Sequence, residues 1–232
     1  MAYRDILSDF ATKSECLCHN STSPVAADAS LGDPFLRDAM RYIVTDLEAT
    51  CWDRERRLPD DVMETIEIGA VCLLSATGPV GGEFSKFIRP TFSPILSAFC
   101  TALTTIRQED VDAAESFKPV FTQFMQWIGD EPFIFCSWGA YDLRQLKSDC
   151  SRFNLRFPSR LDNHINLKKE FSRLHSTKPM GMEKALELAG LTLEGTHHRG
   201  IDDARNIANL ALQILPQLES LEEKGEYFRR PL

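Results

Sequence analysis

Arg41-Tyr42-Ile43-Val44-Thr45-Asp46-Leu47-Glu48 is the stretch on which the reading of this chain turns. Tyr42, Ile43 and Val44 form an apolar run of strand-forming residues, the composition of a strand buried inside a sheet. Arg41 to Asp46 is therefore predicted as a buried strand. Alternation along it puts Asp46 and Glu48 on one face and Leu47 on the other. Two carboxylates about 7 Å apart along a strand can share one pair of metal ions. The plainer reading is a pair of exposed acids at a strand end. Desolvating unpaired carboxylates beside a buried strand is costly, which favours a cation.

Thr65 to Leu74 and Glu83 to Arg89 read as two further strands. Gly78-Pro79 and Gly81-Gly82 are the turn signal between them, so the three strands form an antiparallel meander. Helices are expected from Pro94 to Thr101 and from Glu109 to Ala114. Phe117, Val120, Phe121, Phe124, Met125 and Ile128 recur at helical spacing. A strand at Phe133 to Ser137, a helix from Tyr141 to Arg152 and a short strand near Asn163 to Ile165 follow. Helices at Leu167 to Leu174, Met182 to Ala189 and Ile201 to Leu218 complete the pattern. Such an order implies the α/β class: a mixed β-sheet, antiparallel meander plus parallel strands, flanked by helices.

Three further residues join the first two acids. Asp142 stands where a strand gives way to a helix; it is either a site carboxylate or an acid complementing the helix dipole. Asp203, Ile207 and Leu210 share one helical face, whereas Asp202, Asn206 and Asn209 share a polar one. Asp203 is therefore expected to point inward, and Asp202 toward solvent or into a helix cap. His198 precedes that helix beside Gly200, a flexible neighbour that would let it swing over the site. His197 reads as a solvent-exposed loop histidine. The set Asp46, Glu48, Asp142, His198 and Asp203 suits a carboxylate cage for two divalent ions, with a base for a water proton. That is the chemistry of phosphodiester hydrolysis.

The chain has 232 residues and is 43% hydrophobic, enough for one sizeable core. A net charge of −8 argues against a broad basic footprint for long nucleic acid, although bound metals would reverse the local field. No apolar run reaches the roughly 20 residues that span a bilayer, and the acid-broken start does not read as a signal peptide. Seven cysteines, mostly in apolar runs, read as reduced core thiols of a cytoplasmic protein. Residues 1–38 show no sustained periodicity and read as an N-terminal extension, with a linker from Asn20 to Ser30. Cys16, Cys18 and His19 lack the second pair a zinc knuckle needs. Scattered apolar residues such as Ile6, Phe10 and Phe35 leave room for docking on its own domain or a homodimer. Residues 39–232 are the expected catalytic domain.

The residues quoted so far, with the stretches around them, resemble a known family. Asp46-Leu47-Glu48-Ala49-Thr50-Cys51-Trp52, Glu64-Thr65-Ile66-Glu67, Leu96-Ser97-Ala98-Phe99-Cys100 with Leu103-Thr104, Ser137-Trp138-Gly139-Ala140-Tyr141-Asp142, Ile165-Asn166-Leu167-Lys168-Lys169 and His198-Arg199-Gly200-Ile201-Asp202-Asp203 are its matching stretches. They resemble the DnaQ-like 3′-to-5′ exonucleases of the DEDDh group, nearest the Eri-type branch, over about residues 40 to 215. The resemblance implies an RNase H-like fold and removal of 5′-nucleoside monophosphates from free 3′ ends of RNA or short single-stranded nucleic acid. It implies two Mg²⁺ or Mn²⁺ ions. One would be held by Asp46, Glu48 and Asp203, the other mainly by Asp46 with Asp142 in support, while His198 takes the water proton. An all-oxygen donor set suits these ions better than zinc.

Phe99, Leu103 and Tyr141 are then candidates to stack on or wedge the terminal bases, or else core residues. Ala49 and Thr50 are candidates to contact the terminal sugar through backbone and hydroxyl. Thr105 stands where relatives often have Gly, and Ala140 where some have an acid. A DNA-directed proofreading enzyme, a scavenger of short oligonucleotides and a silent binding module remain alternatives. Retention of all five catalytic positions argues against the last.

Overall fold

The computed structural model describes residues 40–53, 55 and 61–227. The expectations placed on residues 1–38, including the Cys16, Cys18 and His19 reading and the linker, lie outside the described residues.

The strand predicted at Arg41 runs on through Ala49 as β1 (Arg41–Ala49). It lies in mid-sheet with partners on both edges. β2 (Thr65–Leu73) pairs antiparallel along its whole length, and β4 (Phe133–Ser137) pairs in parallel with its first half. With β3 (Val80–Phe87) and β5 (His164–Asn166), the order is β3-β2-β1-β4-β5. The expected meander plus parallel strands is present. The third strand begins earlier than expected. Gly81 and Gly82 belong to it rather than to a turn: Gly82 pairs with Cys72 and Val80 with Leu73, and Leu74 packs where a Gly81 side chain would be. The turn sits at Ser75 to Pro79 and is tied by Ser75 Oγ donating to the Gly78 carbonyl.

Helices cover both faces. On one lie α5 (Leu167–Leu174), α6 (Met182–Leu188) and α7 (Gly200–Glu223), packed with Tyr42, Val44 and Val71. On the other, α3 (Phe117–Ile128) and α4 (Tyr141–Arg152) pack with Ile43, Leu47, Ile68 and Phe135. Alternating β1 residues thus enter opposite cores. Full burial of side chains this size contributes about 1.5–3 kcal/mol each. Two short helices, α1 (Ala98–Thr104) and α2 (Gln108–Asp112), seal a third cluster of Ile66, Leu96, Cys100, Ile106 and Val111.

α1 starts later than predicted. Ser97 is its N-cap, accepting from the Cys100 N–H at 2.9 Å, so Pro94 lies before the helix. It ends on Thr105 in the left-handed region, φ 59°, a backbone conformation that favours glycine.

Candidate active site

At the C-terminal half of β1, Asp46 and Glu48 share the face toward α7, while Leu47 enters the opposite core. α7 brings Asp203 to them in its first turn. The donor oxygens of Asp46, Glu48 and Asp203 all lie within 4.8 Å of one another. Asp142, in the first turn of α4, is 4% exposed and accepts from the Leu47 N–H at 3.2 Å, so it closes the site from the β4 side. These four carboxylates, His197 and His198 line one cavity of about 300 Å³ with Trp138, Tyr141, Lys168 and Met182.

Why α7 comes so near is a matter of two glycines. A methyl group at Gly69, the β2 partner of Asp46, would lie 2.0 Å from the Gly200 carbonyl carbon. One at Gly200 would lie 3.1 Å from the Gly69 nitrogen. Gly200 is therefore a contact point, and the expectation of a flexible hinge is corrected. Its N–H donates to Glu67 Oε2 at 3.1 Å, and the Arg199 guanidinium pairs with the same carboxylate at 3.2 Å. Glu67 is fully buried in β2 and anchors the start of α7, where an anion suits the helix dipole. Two sequence signals mark it: an acid amid the apolar residues of Thr65 to Leu73, and its place in the matching stretch Glu64-Thr65-Ile66-Glu67.

Burial and mutual repulsion push protons onto Asp46, Glu48 and Asp142. Glu48 is raised to about 8, first by burial and then by Asp203 and Glu67. Asp46 is raised well above the carboxylate range by burial, then by Asp142, Glu48 and Asp203. Asp142 rises to about 6 by burial, against backbone and Ser137 hydrogen bonds and the field of Lys168. Four acids gathered with so little compensation fit a cationic guest. Their oxygen donors fit Mg²⁺ or Mn²⁺.

Helical phase holds at Asp203, which is 5% exposed. Asp202 caps the preceding loop by accepting from Thr196 N–H at 2.9 Å and pairs with Arg205. Asn206 departs from the expected polar face. It is fully buried, donates to the carbonyls of Glu194 and Asp202, and accepts from Glu194 N–H, so it stitches the loop to α7. His198 adopts φ 62°, and its N–H donates to Asp203 Oδ2 at 3.0 Å. Desolvation, then His197, lowers the pKa of its imidazole, favouring the neutral form. His197 is not the solvent-exposed residue expected. It is half-buried, 3.2 Å by Nδ1 from Asp203 Oδ1, and stacked on His198 with centroids 3.9 Å apart.

The proposed substrate contacts divide. Tyr141 lines the cavity and is 38% exposed. Phe99 and Leu103 are exposed on α1 rather than packed in a core. Their helix is tied to the end of β1 by Ser97 Oγ donating to Cys51 O at 2.6 Å. Ala49 is buried at the strand end. The buried Thr50 hydroxyl donates to Val62 O and accepts from Glu64 N–H, which holds the segment after β1 in place.

Comparison with known proteins agrees with this geometry. The family model described as Exonuclease (RNase T) matches residues 43–211. The chain belongs to this exonuclease family. Mouse ERI1 exoribonuclease 2 is 34% identical over 216 residues, 83% of this chain and 31% of the relative. The Drosophila melanogaster 3′-5′ exonuclease Snipper is 31% identical over 192 residues, 75% of this chain and 68% of that protein. Among solved structures, the nuclease domain of 3′hExo, a DEDDh family member bound to rAMP, has a TM-score of 0.72 at 27% identity. That alignment covers 84% of this chain and 98% of that one. The chain spans about a third of the length of the ERI1 exoribonuclease 2 relatives. Among the described residues of this exonuclease-family chain, no helix is long and apolar enough to cross a membrane.

Proposed function

We propose that this chain is a divalent-metal-dependent 3′-to-5′ exonuclease acting on free 3′ ends of RNA or short single-stranded nucleic acid. Its products are 5′-nucleoside monophosphates. The observation that carries this is the convergence of Asp46, Glu48 and Asp203 within 4.8 Å, with His198 lining the same cavity. RNA is favoured by the exoribonuclease names of the relatives and by the rAMP bound to the structural neighbour.

In this reading Asp46, Glu48 and Asp203 hold two Mg²⁺ or Mn²⁺ ions, with Asp142 in support. Bound divalent ions supply charge stabilisation to the attacking and leaving oxygens of an in-line displacement. His198, kept neutral by its surroundings, accepts the proton of the attacking water. Tyr141 at the cavity and Phe99 on α1 stack on the terminal bases, and Leu103 on α1 wedges against them. Residues 39–232 carry the reaction, and 1–38 are an extension dispensable for it. Whether that extension joins two copies is read by sedimentation of chains with and without it. The free thiols of Cys51, Cys72, Cys100, Cys136 and Cys150 support a reducing, cytoplasmic setting.

The test is hydrolysis of matched 3′-labelled single-stranded RNA, single-stranded DNA and dinucleotides with Mg²⁺. Labelled mononucleotide released from RNA first, and abolished by EDTA, is the expected result. Preference for DNA would move the chain to the proofreading class. Undiminished hydrolysis in excess chelator would overturn the metal reading.

A further inference from the structure

One cation stands in a cavity that is otherwise acidic, histidine-lined or apolar. Lys168 is the only Lys or Arg among the cavity-lining residues. It is the second residue of α5, where its backbone is well held. β5 ends at Asn166, paired with Ser137 of β4, and the Asn166 side chain accepts from the Lys169 N–H at 3.0 Å. The Lys168 ammonium lies 3.8 Å from where a Gly139 side chain would begin, so the bare turn between β4 and α4 leaves it space. Gly139 itself has φ 130°, which other residues rarely adopt.

Arg173, Arg199 and Arg205 are each committed to a carboxylate. Among the described residues, no acid lies within ion-pair distance of the Lys168 ammonium, although its field reaches Asp142. A half-buried ammonium on a long stem, held at the wall of a reaction cavity with donors to spare, is suited to a phosphate oxygen. The neighbouring carboxylates repel a phosphate, so a fixed cation there has something to offset.

We propose that Lys168 grips the phosphate of the terminal nucleotide and places it against the carboxylates. The inference rests on the exonuclease reading and adds the residue that recognises the anionic group. The competing account is that Lys168 only neutralises Asp142. That account predicts disturbed metal binding and no discrimination between a nucleotide and its nucleoside.

The test is calorimetry on the full chain loaded with Mn²⁺, with AMP and adenosine as probes, for wild type, Lys168→Met and Lys168→Arg. We expect Lys168→Met to weaken AMP about 10- to 100-fold, the loss of a charge-assisted hydrogen bond. Adenosine and Mn²⁺ affinities should stay within about twofold of wild type on the same ground. Lys168→Arg should recover most of the AMP affinity, and KM for a single-stranded end should rise in Lys168→Met more than kcat falls. Unchanged AMP affinity, an equal loss for adenosine, or a parallel loss of Mn²⁺ binding would overturn the assignment. Wild-type hydrolysis of free 3′ ends is scored separately. Its absence would sink the exonuclease reading, while the AMP–adenosine comparison would still judge Lys168.

Discussion

Gly69 and Gly200 meet backbone to backbone. A methyl group on Gly69 would sit 2.0 Å from the Gly200 carbonyl carbon, and Gly69 is the cross-strand partner of Asp46. This contact sets how closely Asp203 approaches Asp46 and Glu48. Gly69→Ala should therefore push α7 off the sheet, costing about 3 kcal/mol or more, at the upper end for overpacking. Gly200→Ala, with contacts of 3.1 Å and longer, should cost less. Denaturant unfolding together with Mn²⁺ titration checks this. Full Mn²⁺ affinity in a folded Gly69→Ala protein would show that the contact does not gather the acids.

Adjacent aspartates should behave differently. Asp203→Ala should abolish hydrolysis and Mn²⁺ binding. Asp202→Ala should keep most of the turnover and lose about 1 kcal/mol of stability, because it removes a cap on Thr196 and a pair with Arg205. Turnover and melting temperature measured on both variants decide the matter; equal loss of turnover would break the assignment.

The two stacked histidines should separate by readout. His198→Ala should lower kcat by about 10²–10⁴-fold with metal affinity nearly intact. His197→Ala should do the opposite. It removes a partner of Asp203 Oδ1, so metal affinity should fall about 10- to 100-fold while kcat at saturating metal persists. Calorimetry and kinetics on each variant test the crossing.

Without metal, stability should fall as pH rises. Glu48 titrates near 8 in the folded protein against about 4.5 unfolded, and Asp142 near 6. Between the unfolded and folded values the native state binds more protons than the unfolded chain, so unfolding free energy decreases with pH. The melting temperature of chelated protein should drop between about pH 5 and 8, by about 2–4 °C per kcal/mol. Saturating Mg²⁺ should remove most of the drop, and Glu48→Gln should flatten it. A chelated protein more stable at pH 8 than at pH 5 would contradict the raised values.

Thr105→Gly should stabilise the protein by up to about 1 kcal/mol. The left-handed C-cap of α1 strains a β-branched residue, and glycine relieves more than it costs in chain entropy. A thermal melt measures it. An unchanged or lower melting temperature would mean that Thr105 makes compensating contacts.

The linear sequence determined a good deal. Apolar runs of strand length and helical periodicity placed the strands and helices, with boundary errors at Pro94 and at Gly81-Gly82, where a cap and a cross-strand contact outweighed local composition. Period-two alternation set Asp46 and Glu48 together, and helical phase turned Asp203 inward from Asp202. Those outcomes are local, decided by bond geometry within a few residues.

What lies between distant segments needed the fold. Thr50 spends its hydroxyl on Val62 and Glu64, Asn206 turns inward to hold the 194 loop, and His197 meets Asp203. Glu67 anchors α7 from 132 and 133 residues away. Each depends on which backbone donors and acceptors the packing leaves unpaired, a quantity a linear sequence does not contain. The raised carboxylate pKa values have the same origin. Four acids spread from position 46 to position 203 become one electrostatic system only when the Gly69–Gly200 contact closes and water is excluded between them.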